Sequence, residues 1–529
     1  MMIGKLKAAL PEHYFFLAIT FLNLIPVLVG KFFPTMDGAA HLYNSNIINE
    51  LVFKGNDGFA SFFTINPLPV PNWTGHFILS FFNLFLPAFL AEKILVLFYL
   101  TGLPYAFRRL VKTISPDTVL LLYLIFPFTY SFLFLLGFYN FSLALVFLFI
   151  TLSYWIKNEQ TNYSPSKLLT LFLLLTLTYF SHVFVFGILL FLIAAHTVFT
   201  SAFLNGRLTI SGLYKKLKIL ALASLLPLLL FSWYFLSSYF FSTHSGSDKN
   251  TFSFAGKGEL VTWLTTIRPI ITYNPTIEEP YTKTIAAVFL VLLVAAVYVR
   301  IKAVKGIFNF TDFWLFSAGV VLALYFTLPD SHGSAGFISI RLGLLFYLLL
   351  LVWLATQKIP KVLCLAAVAV VFYCNLSLNY YYSKTIWDLN KVAKSCREVS
   401  EHLVPNSLVL PLNYSGNWMM AHFSNYMGTD KPVIILENYE CGTRYFPVTW
   451  NEASLPNSLL GNVSHAKFDC LYWETRKENP PRTFDYVFVL GDMDSKTDSC
   501  TGAVRDIITE HYDLVFRNEH CKLFEKKKL

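Results

Sequence analysis

The feature that most constrains this chain is a succession of apolar segments, each long enough to cross a lipid bilayer. A membrane-spanning helix needs about 20 consecutive, mostly apolar residues, and the first 383 residues contain about eleven such stretches. Charged residues make up only 14% of the chain, against about 25% in soluble proteins, so a soluble globular fold is excluded. The predicted spans are 13–30, 92–110, 117–136, 140–156, 167–181, 183–204, 217–240, 284–303, 310–328, 341–357 and 361–381. The sequence therefore predicts an α-helical polytopic membrane protein.

The charged side chains are concentrated behind the last predicted span. Residues 384–529 hold 36 of the 73 Lys, Arg, Asp and Glu residues. Helical spacing at 391–403 is followed there by short apolar runs that are typical of strands. These runs are 407–412, 432–436, 486–490, and a closing hairpin of 512–516 with 521–524. We therefore expect two domains, a transmembrane domain over 1–383 and a soluble α/β domain over 384–529.

The distribution of basic residues predicts the orientation of the spans. Cytoplasmic loops are enriched in Lys and Arg, and with the N-terminus inside, 16 of the 24 basic residues of 1–383 lie in inner loops. This assignment requires the apolar stretch 76–90 to be an interfacial helix, broken by Pro87, and not a further span. The outer loops are then 31–91, 241–283 and 329–340. We expect a protein of the plasma (inner) membrane whose 384–529 domain is extracytoplasmic.

The net charge of +9 originates in the membrane part, which is not the footprint of a nucleic-acid partner. Five of the seven cysteines lie in the tail, where an oxidising compartment would allow up to two disulfides. The sequence does not determine their pairing, and we favour Cys500–Cys521 with Cys441–Cys470.

The segment directly after the first span carries the strongest candidate chemistry. Residues 33–41 read Phe-Pro-Thr-Met-Asp-Gly-Ala-Ala-His. If a helix begins here, Asp37 and His41 lie one turn apart on one face. A carboxylate and an imidazole that converge at the membrane surface can form a general-base site or part of a metal site. The alternative is that Asp37 is simply the N-cap of an interfacial helix.

A first outer loop that opens with Pro-x-x-Asp-Gly-x-x-His resembles that of the GT-C superfamily of membrane glycosyltransferases. The layout is also similar, with a long first loop, a second long loop after the seventh span, and an extracytoplasmic tail. The resemblance implies transfer of a sugar from a polyprenyl-phosphate-linked donor to a glycan, lipid or protein acceptor, with inversion and with Asp37 as the catalytic base. Members often carry a second acidic residue beside the first, where this chain has Gly38 and Ala39. A divalent metal is therefore left open, and no metal ligand is assigned.

Five further residues are candidates for donor or substrate binding. Arg341 opens a span on the outer side, where a guanidinium can bind a lipid phosphate through two hydrogen bonds; a snorkelling arginine among bulk headgroups is the alternative. His332, in the Gly-rich third outer loop, is a second phosphate candidate. Asn140 and His182 lie in outer turns, and Arg268 lies in the second long loop. Helix packing, hydrogen bonding within the fold and a solvated loop explain these three equally well.

Two other classes of protein share a many-spanned layout. An O-antigen polymerase or ligase would be expected to rely on arginines in its large outer loops, and here those loops contain only Arg268. A polysaccharide transporter or assembly scaffold would be expected to carry ionisable groups near mid-membrane, and the centres of the predicted spans carry almost none. The GT-C-type enzyme is the favoured hypothesis.

Overall fold

The computed structural model of the protein describes residues 2–117, 119–159, 161, 163–204, 210–244, 252–302, 309–332, 336–443, 445–456, 459–460, 463–464 and 483–528. The chain is mostly helical and divides into two compact units. The first unit comprises Met1–Pro26, Leu97–Leu135 and Asn140–Ser383. The second unit comprises Val27–Val96, Leu136–Tyr139 and Lys384–Leu529.

The first unit is built from helices. Helix Ile338–Ala355 is buried over almost its whole length and packs against Asp312–Thr327. A helix that buries every face belongs to the interior of a large or membrane-embedded core. Arg300 Nη1 donates to Asp312 Oδ2 over 2.7 Å, so the carboxylate that begins helix Asp312–Thr327 is paired with a cation. The helices that run wholly or partly in this unit are Met2–Asn23, Ile25–Leu28, Ala88–Ile114, Leu120–Tyr130, Phe132–Leu136, Tyr139–Asn158, Pro165–Ser181, Val183–Leu204, Ile210–His244, Lys257–Thr265, Arg268–Ile270, Pro275–Lys302, Asp312–Thr327, Ile338–Ala355 and Lys361–Val399.

Each of the predicted spans coincides with a helical segment. Among the described residues, seven helices are long and apolar enough to cross a membrane, and three shorter apolar helices match further predicted spans. The span predicted at 117–136 is not one regular α-helix, because Leu120–Tyr130 is a tighter 3₁₀ helix, followed by Phe132–Leu136. Pro127 lies inside the 3₁₀ segment and lacks the N–H that an α-helix needs there. The protein is a multi-pass membrane protein.

The second unit combines the first outer loop with the tail. Helix Gly38–Val52, here called the first-loop helix, is buried from Gly38 to Glu50. Tyr43 in this helix donates its hydroxyl to Val433 O over 2.6 Å and accepts from Ile435 N over 3.0 Å. One phenol hydroxyl therefore satisfies two backbone groups of a tail strand.

Two further elements of the first outer loop belong to this unit. Strand Phe63–Ile65 pairs antiparallel with Val448–Trp450 of the tail. Helix Trp73–Asn83 packs against the first-loop helix and ends before Pro87. It is called the interfacial helix after the sequence-based prediction, which stays a prediction. The compact units thus cut the chain differently from domains drawn at residue 383, because the first outer loop is integrated with the tail.

The tail contains a five-stranded mixed sheet, and the predicted strands and hairpin are confirmed. The strand order is Tyr512–Arg517, Cys521–Lys526, Tyr486–Gly491, Leu408–Tyr414, Ile434–Ile435. The last three strands are mutually parallel, and the C-terminal hairpin joins them through Cys521–Lys526, which runs antiparallel to Tyr486–Gly491. Helix Ser499–His511 buries Val504 and Ile508. The remaining short elements of the chain are Asp57–Ala60, Phe252–Ser253 paired with Ser331–His332, Ser400–His402, Trp418–Met420, Phe423–Gly428, Glu452–Ser454, and Leu459–Leu460 paired with Val463–Ser464.

The two favoured disulfide pairs are wrong. Cys441 and Cys521 are both free and buried, whereas Cys500 is disulfide-bonded. Cys521 lies instead with its Sγ 3.6 Å from Cys396 Sγ. Cys470 lies outside the described residues. The error arose because the fold, and not the spacing of cysteines along the chain, determines which thiols meet.

Candidate active site

Asp37 stands at the N-cap position of the first-loop helix, but its side chain does not cap that helix. The capping hydrogen bond comes from Thr35, whose Oγ1 accepts from Gly38 N over 3.0 Å. The backbone N–H of Asp37 donates to Leu136 O over 2.9 Å. The N-cap interpretation is therefore wrong for the side chain, and the Asp37 carboxylate is left available for another role.

The Asp37 carboxylate is buried beside a cation. It is 3% exposed, and Tyr439 hydrogen-bonds to it. His422 Nε2 lies 3.6 Å from Asp37 Oδ1, and its Nδ1 lies 2.6 Å from Glu437 Oε1. Asp37 Oδ1 has no hydrogen-bond partner among the residues that the structure describes. A buried acceptor oxygen without a partner is costly, which favours a group that meets a ligand.

Burial and charge set the protonation of this pair. Burial raises the pKa of Asp37 to about 6, although the nearby His422 and His41 act in the opposite direction. Burial alone would lower the pKa of His422, but the Glu437 carboxylate outweighs it and raises that pKa to about 9. At neutral pH an ionised Asp37 therefore stands next to an imidazolium. A carboxylate with a pKa close to the working pH suits general-base catalysis.

His41 takes part in a second, adjoining cluster, here called the His-His-Glu triad: His41, His76 and Glu440. His41 Nδ1 lies 3.3 Å from His76 Nε2 and 2.6 Å from Glu440 Oε1. His76 Nε2 lies 2.7 Å from Glu440 Oε2. All three side chains are buried. Burial alone would raise the pKa of Glu440, but the two imidazoles outweigh it and hold that pKa well below its usual value.

The outward-facing nitrogens of both imidazoles are bound to backbone carbonyls. His41 Nε2 donates to Gly137 O over 2.9 Å, and His76 Nδ1 donates to Asn72 O over 3.0 Å. A carbonyl can only accept, so these two nitrogens carry the protons. The triad-facing nitrogens, Nδ1 of His41 and Nε2 of His76, are then lone-pair donors in the neutral rings.

The structure gives a physical reason why no second acidic residue follows Asp37. A Cβ atom added to Gly38 would lie 2.5 Å from Thr35 Oγ1 and 2.6 Å from Glu92 Oε1. Tyr139 closes the same space, because its hydroxyl donates to Glu92 Oε1 over 2.7 Å. Position 38 therefore has no room for a carboxylate side chain.

A cavity of about 800 Å³ lies in the second unit, and Met36, the residue before Asp37, is part of its lining. His422 and Tyr439, both contacts of Asp37, line it, and it extends over the carboxyl ends of the parallel strands. Ligands of open parallel sheets bind at that edge. Its polar lining comprises Asn413, Ser415, Asn417, His422, Ser424, Glu437, Asn438 and Tyr439.

Two of the other candidates, Arg341 and His182, meet at one aromatic ring in the first unit. The guanidinium carbon of Arg341 lies 5.7 Å from the centre of the Phe141 ring, and the His182 ring meets the same phenyl ring edge-on at 5.3 Å. Asn140, the residue before Phe141, is 5% exposed. The structure thus brings His182 and Arg341 to one aromatic side chain, that of Phe141, which directly follows Asn140 in the chain.

Arg268 and His332 are placed differently. Arg268 donates to Ile271 O and lies with its guanidinium carbon 4.4 Å from the centre of the Phe132 ring. These contacts fold the second long loop onto its own unit. The backbone of His332 pairs with Phe252, and its side chain lies outside the described residues.

Sequence reasoning missed several residues around Asp37. His76 was hidden inside an apolar stretch that suggested only a membrane contact. Glu437, Tyr439 and Glu440 directly follow the predicted strand run 432–436. That position was a usable signal, because polar residues after a buried parallel strand collect at the ligand-binding edge of its sheet.

No protein-family model and no curated protein sequence matches the chain. Two solved structures of ArnT from Cupriavidus metallidurans share its fold. The structure bound to undecaprenyl phosphate superposes with a TM-score of 0.55 at 11% sequence identity and covers 97% of each chain. The apo structure gives a TM-score of 0.55 at 10% identity and covers 98% of each chain. The chain therefore shares the fold of these ArnT structures over nearly its whole length, which agrees with the fold that the resemblance of the first loop implied.

Proposed function

We propose that this protein transfers a sugar from a polyprenyl-phosphate-linked donor to an acceptor hydroxyl. The observation that carries the proposal is the buried Asp37 carboxylate, whose contacts His422 and Tyr439 line a large cavity and whose Oδ1 has no hydrogen bond among the described residues. The ArnT structure that shares this fold was solved with undecaprenyl phosphate, which supports a lipid-linked donor.

The proposed chemistry needs one base. Asp37 takes the proton of the acceptor hydroxyl as its oxygen attacks the anomeric carbon. The bond from that carbon to the phosphate oxygen breaks, so the configuration inverts and polyprenyl phosphate leaves with the bonding electrons. The imidazolium of His422 beside Asp37 keeps the carboxylate ionised before the proton arrives.

The cavity supplies the kind of surface that a carbohydrate needs. Sugar hydroxyls are both donors and acceptors, and amide side chains such as Asn413, Asn417 and Asn438 offer both functions in the lining. Trp418 and Tyr439 add aromatic surface to the same cavity. We therefore propose that this cavity receives a sugar or a glycan acceptor.

Arg341 remains the proposed ligand of a donor phosphate. It lies in the first turn of Ile338–Ala355, next to the Phe141 ring. A planar guanidinium matches a phosphate with two parallel hydrogen bonds. His182, which shares that aromatic neighbour, and Asn140, the residue before Phe141, are proposed to contribute to the same phosphate or sugar contacts. The roles predicted for His332 and Arg268 stay predictions.

We further propose that the reaction takes place at the extracytoplasmic face of the plasma membrane. The charge bias of the loops supports this orientation, because most basic residues of 1–383 lie in loops that are then cytoplasmic. A lipid-anchored donor also requires a site at the bilayer surface.

The decisive experiment measures donor cleavage by the full chain in proteoliposomes. Undecaprenyl-phosphate-linked hexoses and pentoses are supplied with a mixture of glycan and lipid A-type acceptors, and release of undecaprenyl phosphate is followed. We expect release with the wild type and a loss of about 10²-fold or more in Asp37→Asn, which is the usual contribution of a general base.

Glu50→Gln is the matched control. Glu50 is buried in the same helix, but its carboxylate binds Lys54 and Asn56, whereas the contacts of Asp37 line the cavity. This variant should retain wild-type turnover per folded molecule. Turnover in Asp37→Asn equal to that of Glu50→Gln would disprove the base, and no cleavage of any lipid-linked sugar by the wild type would disprove the donor class.

A further inference from the structure

We propose that His41, His76 and Glu440 form a binding site for one divalent transition-metal ion, with zinc as the best match. This proposal is independent of the proposed glycosyl transfer, because it is argued from the geometry of the triad alone. Its three ligands come from three segments of the second unit: the first-loop helix, the interfacial helix, and the tail segment that follows Ile434–Ile435.

The distances between the donor atoms fit a single small cation. The donor atoms of the three side chains lie within 4.8 Å of one another. Zinc–nitrogen bonds of about 2.0–2.1 Å in a tetrahedral site place two donor nitrogens about 3.3 Å apart. His41 Nδ1 and His76 Nε2 are separated by 3.3 Å. The carboxylate oxygens approach the imidazoles more closely, so Glu440 has to withdraw by a fraction of an ångström when the ion enters.

The backbone already holds both imidazoles in the form that binds metals. Gly137 O and Asn72 O take the N–H groups that point away from the triad. Metal-binding histidines almost always donate their second N–H to such a partner, which fixes the tautomer and the ring orientation. The carboxylate is held as well, because Asn44 Nδ2 donates to Glu440 Oε2 over 2.8 Å.

Without a cation, the same arrangement brings acceptors together. In the neutral rings two lone pairs and a carboxylate face one another in a buried space, which is unfavourable. Two protons, one on each imidazole, would remove this repulsion between acceptors. One divalent ion would do the same, and it adds the same two positive charges.

The donor set selects the class of metal. Two imidazole nitrogens and one carboxylate oxygen suit zinc and neighbouring transition metals. Magnesium and calcium prefer all-oxygen ligands and do not match. Three protein ligands leave one position of a tetrahedral ion open for water or for a ligand group.

A metal ion on the triad would help to position Asp37 in the proposed active site. His41 follows Asp37 by one helical turn, and His41 N donates to Asp37 O over 3.0 Å. An ion on the triad would therefore hold the start of the first-loop helix against the interfacial helix and the tail. In this description the triad side chains are positioning residues for Asp37, and Asp37 remains the base.

The test measures zinc on full-length protein purified in detergent without a histidine tag. The sample is stripped with a chelator, dialysed, and titrated with zinc chloride; bound zinc is counted by elemental analysis and thermal unfolding is recorded. We expect one zinc ion per chain and a higher melting temperature with zinc than with chelator, because a ligand that binds only the folded state stabilises it. Magnesium chloride should cause no such shift.

Variants separate this site from adventitious binding. Glu440→Gln and His76→Gln should each weaken zinc binding by about 10-fold or more, whereas His402→Gln should bind like the wild type. His402 is a suitable control because it is exposed and stacks on Phe516, with ring centres 4.2 Å apart.

Cobalt(II) gives an answer that does not depend on the variants folding. In the wild type, a triad-bound cobalt ion should show intense visible absorption bands of low coordination number, and zinc should abolish them. Stripped wild type that binds neither ion stoichiometrically, or Glu440→Gln that binds zinc as tightly as His402→Gln, would show that protons alone hold the triad. Either result would overturn the metal site and leave the test of Asp37 intact.

Discussion

Gly137 shows how closely the backbone is packed around the candidate base. Its φ is +98°, a conformation that glycine adopts at low cost. A Cβ at this position would lie 2.8 Å from Thr35 Oγ1 and 2.9 Å from Gly38 N. The short segment around Gly137 therefore approaches the start of the first-loop helix closely enough for the Leu136 and Gly137 carbonyls to accept from Asp37 and His41.

The pH dependence of turnover is a prediction at the residue scale. Asp37 has to be ionised to accept a proton, and its pKa is raised to about 6. The kcat/KM should therefore rise with pH through about 6 and then level off. Replacing His422 by Gln removes the cation beside Asp37, so the pKa of the carboxyl should increase and the acidic limb should move to higher pH. The measurement is the pH profile of kcat/KM for the wild type and for His422→Gln, recorded at one fixed zinc concentration. An acidic limb at the same pH in both would contradict the pairing of His422 with Asp37.

At the scale of elements, the first-loop helix obtains its stability from the tail and not from its own sequence. Its amide and hydroxyl side chains contact the tail at many points. Asn46 Nδ2 donates to Gly428 O over 2.8 Å, and the Asn44 and Asn438 amides bind each other. A buried helix whose polar groups all need partners can fold only against a surface that supplies them.

Tyr43→Phe tests this dependence. The hydroxyl serves both Val433 O and Ile435 N, so its removal leaves two buried backbone groups unsatisfied. We expect a loss of about 1–3 kcal/mol, seen as a lower melting temperature of the full chain. Tyr380→Phe is the matched control, since Tyr380 is 77% exposed. Equal melting temperatures for the two variants would show that the hydrogen bonds of Tyr43 contribute nothing.

At the scale of the whole molecule, local patterns and long-range pairing were not equally predictable. Hydropathy located the spans and the tail strands, because each is marked by a run of apolar residues that are consecutive in the sequence. The triad was not predictable, since 364 residues separate His76 from Glu440 and no spacing rule connects them. Asp37 and His41 were found because they share one helical turn, whereas pairing of 63–65 with 448–450 has no local signal at all.

The proposed orientation is tested by cysteine labelling in spheroplasts. Lys157→Cys and Glu510→Cys place thiols at exposed positions, while the free cysteines among the described residues are buried and give little background. A membrane-impermeant maleimide should label position 510 and leave position 157 unlabelled until the membrane is opened. Labelling of both positions, or of 157 alone, would contradict the extracytoplasmic tail.

The pairing of the first loop with the tail also delays folding of the first loop until the tail has been synthesised. Thr64 leaves the ribosome 385 residues before its strand partner Thr449, and synthesis at about 5–20 residues per second makes that interval about 20–80 seconds. During this time the inner surface of the first-loop helix has no tail to cover it. The cell must therefore keep a half-finished loop from aggregating or being degraded while almost all of the spans are still being inserted. Slow or interrupted translation near the end of the message should therefore lower the yield of folded protein, even when the early spans have been inserted correctly.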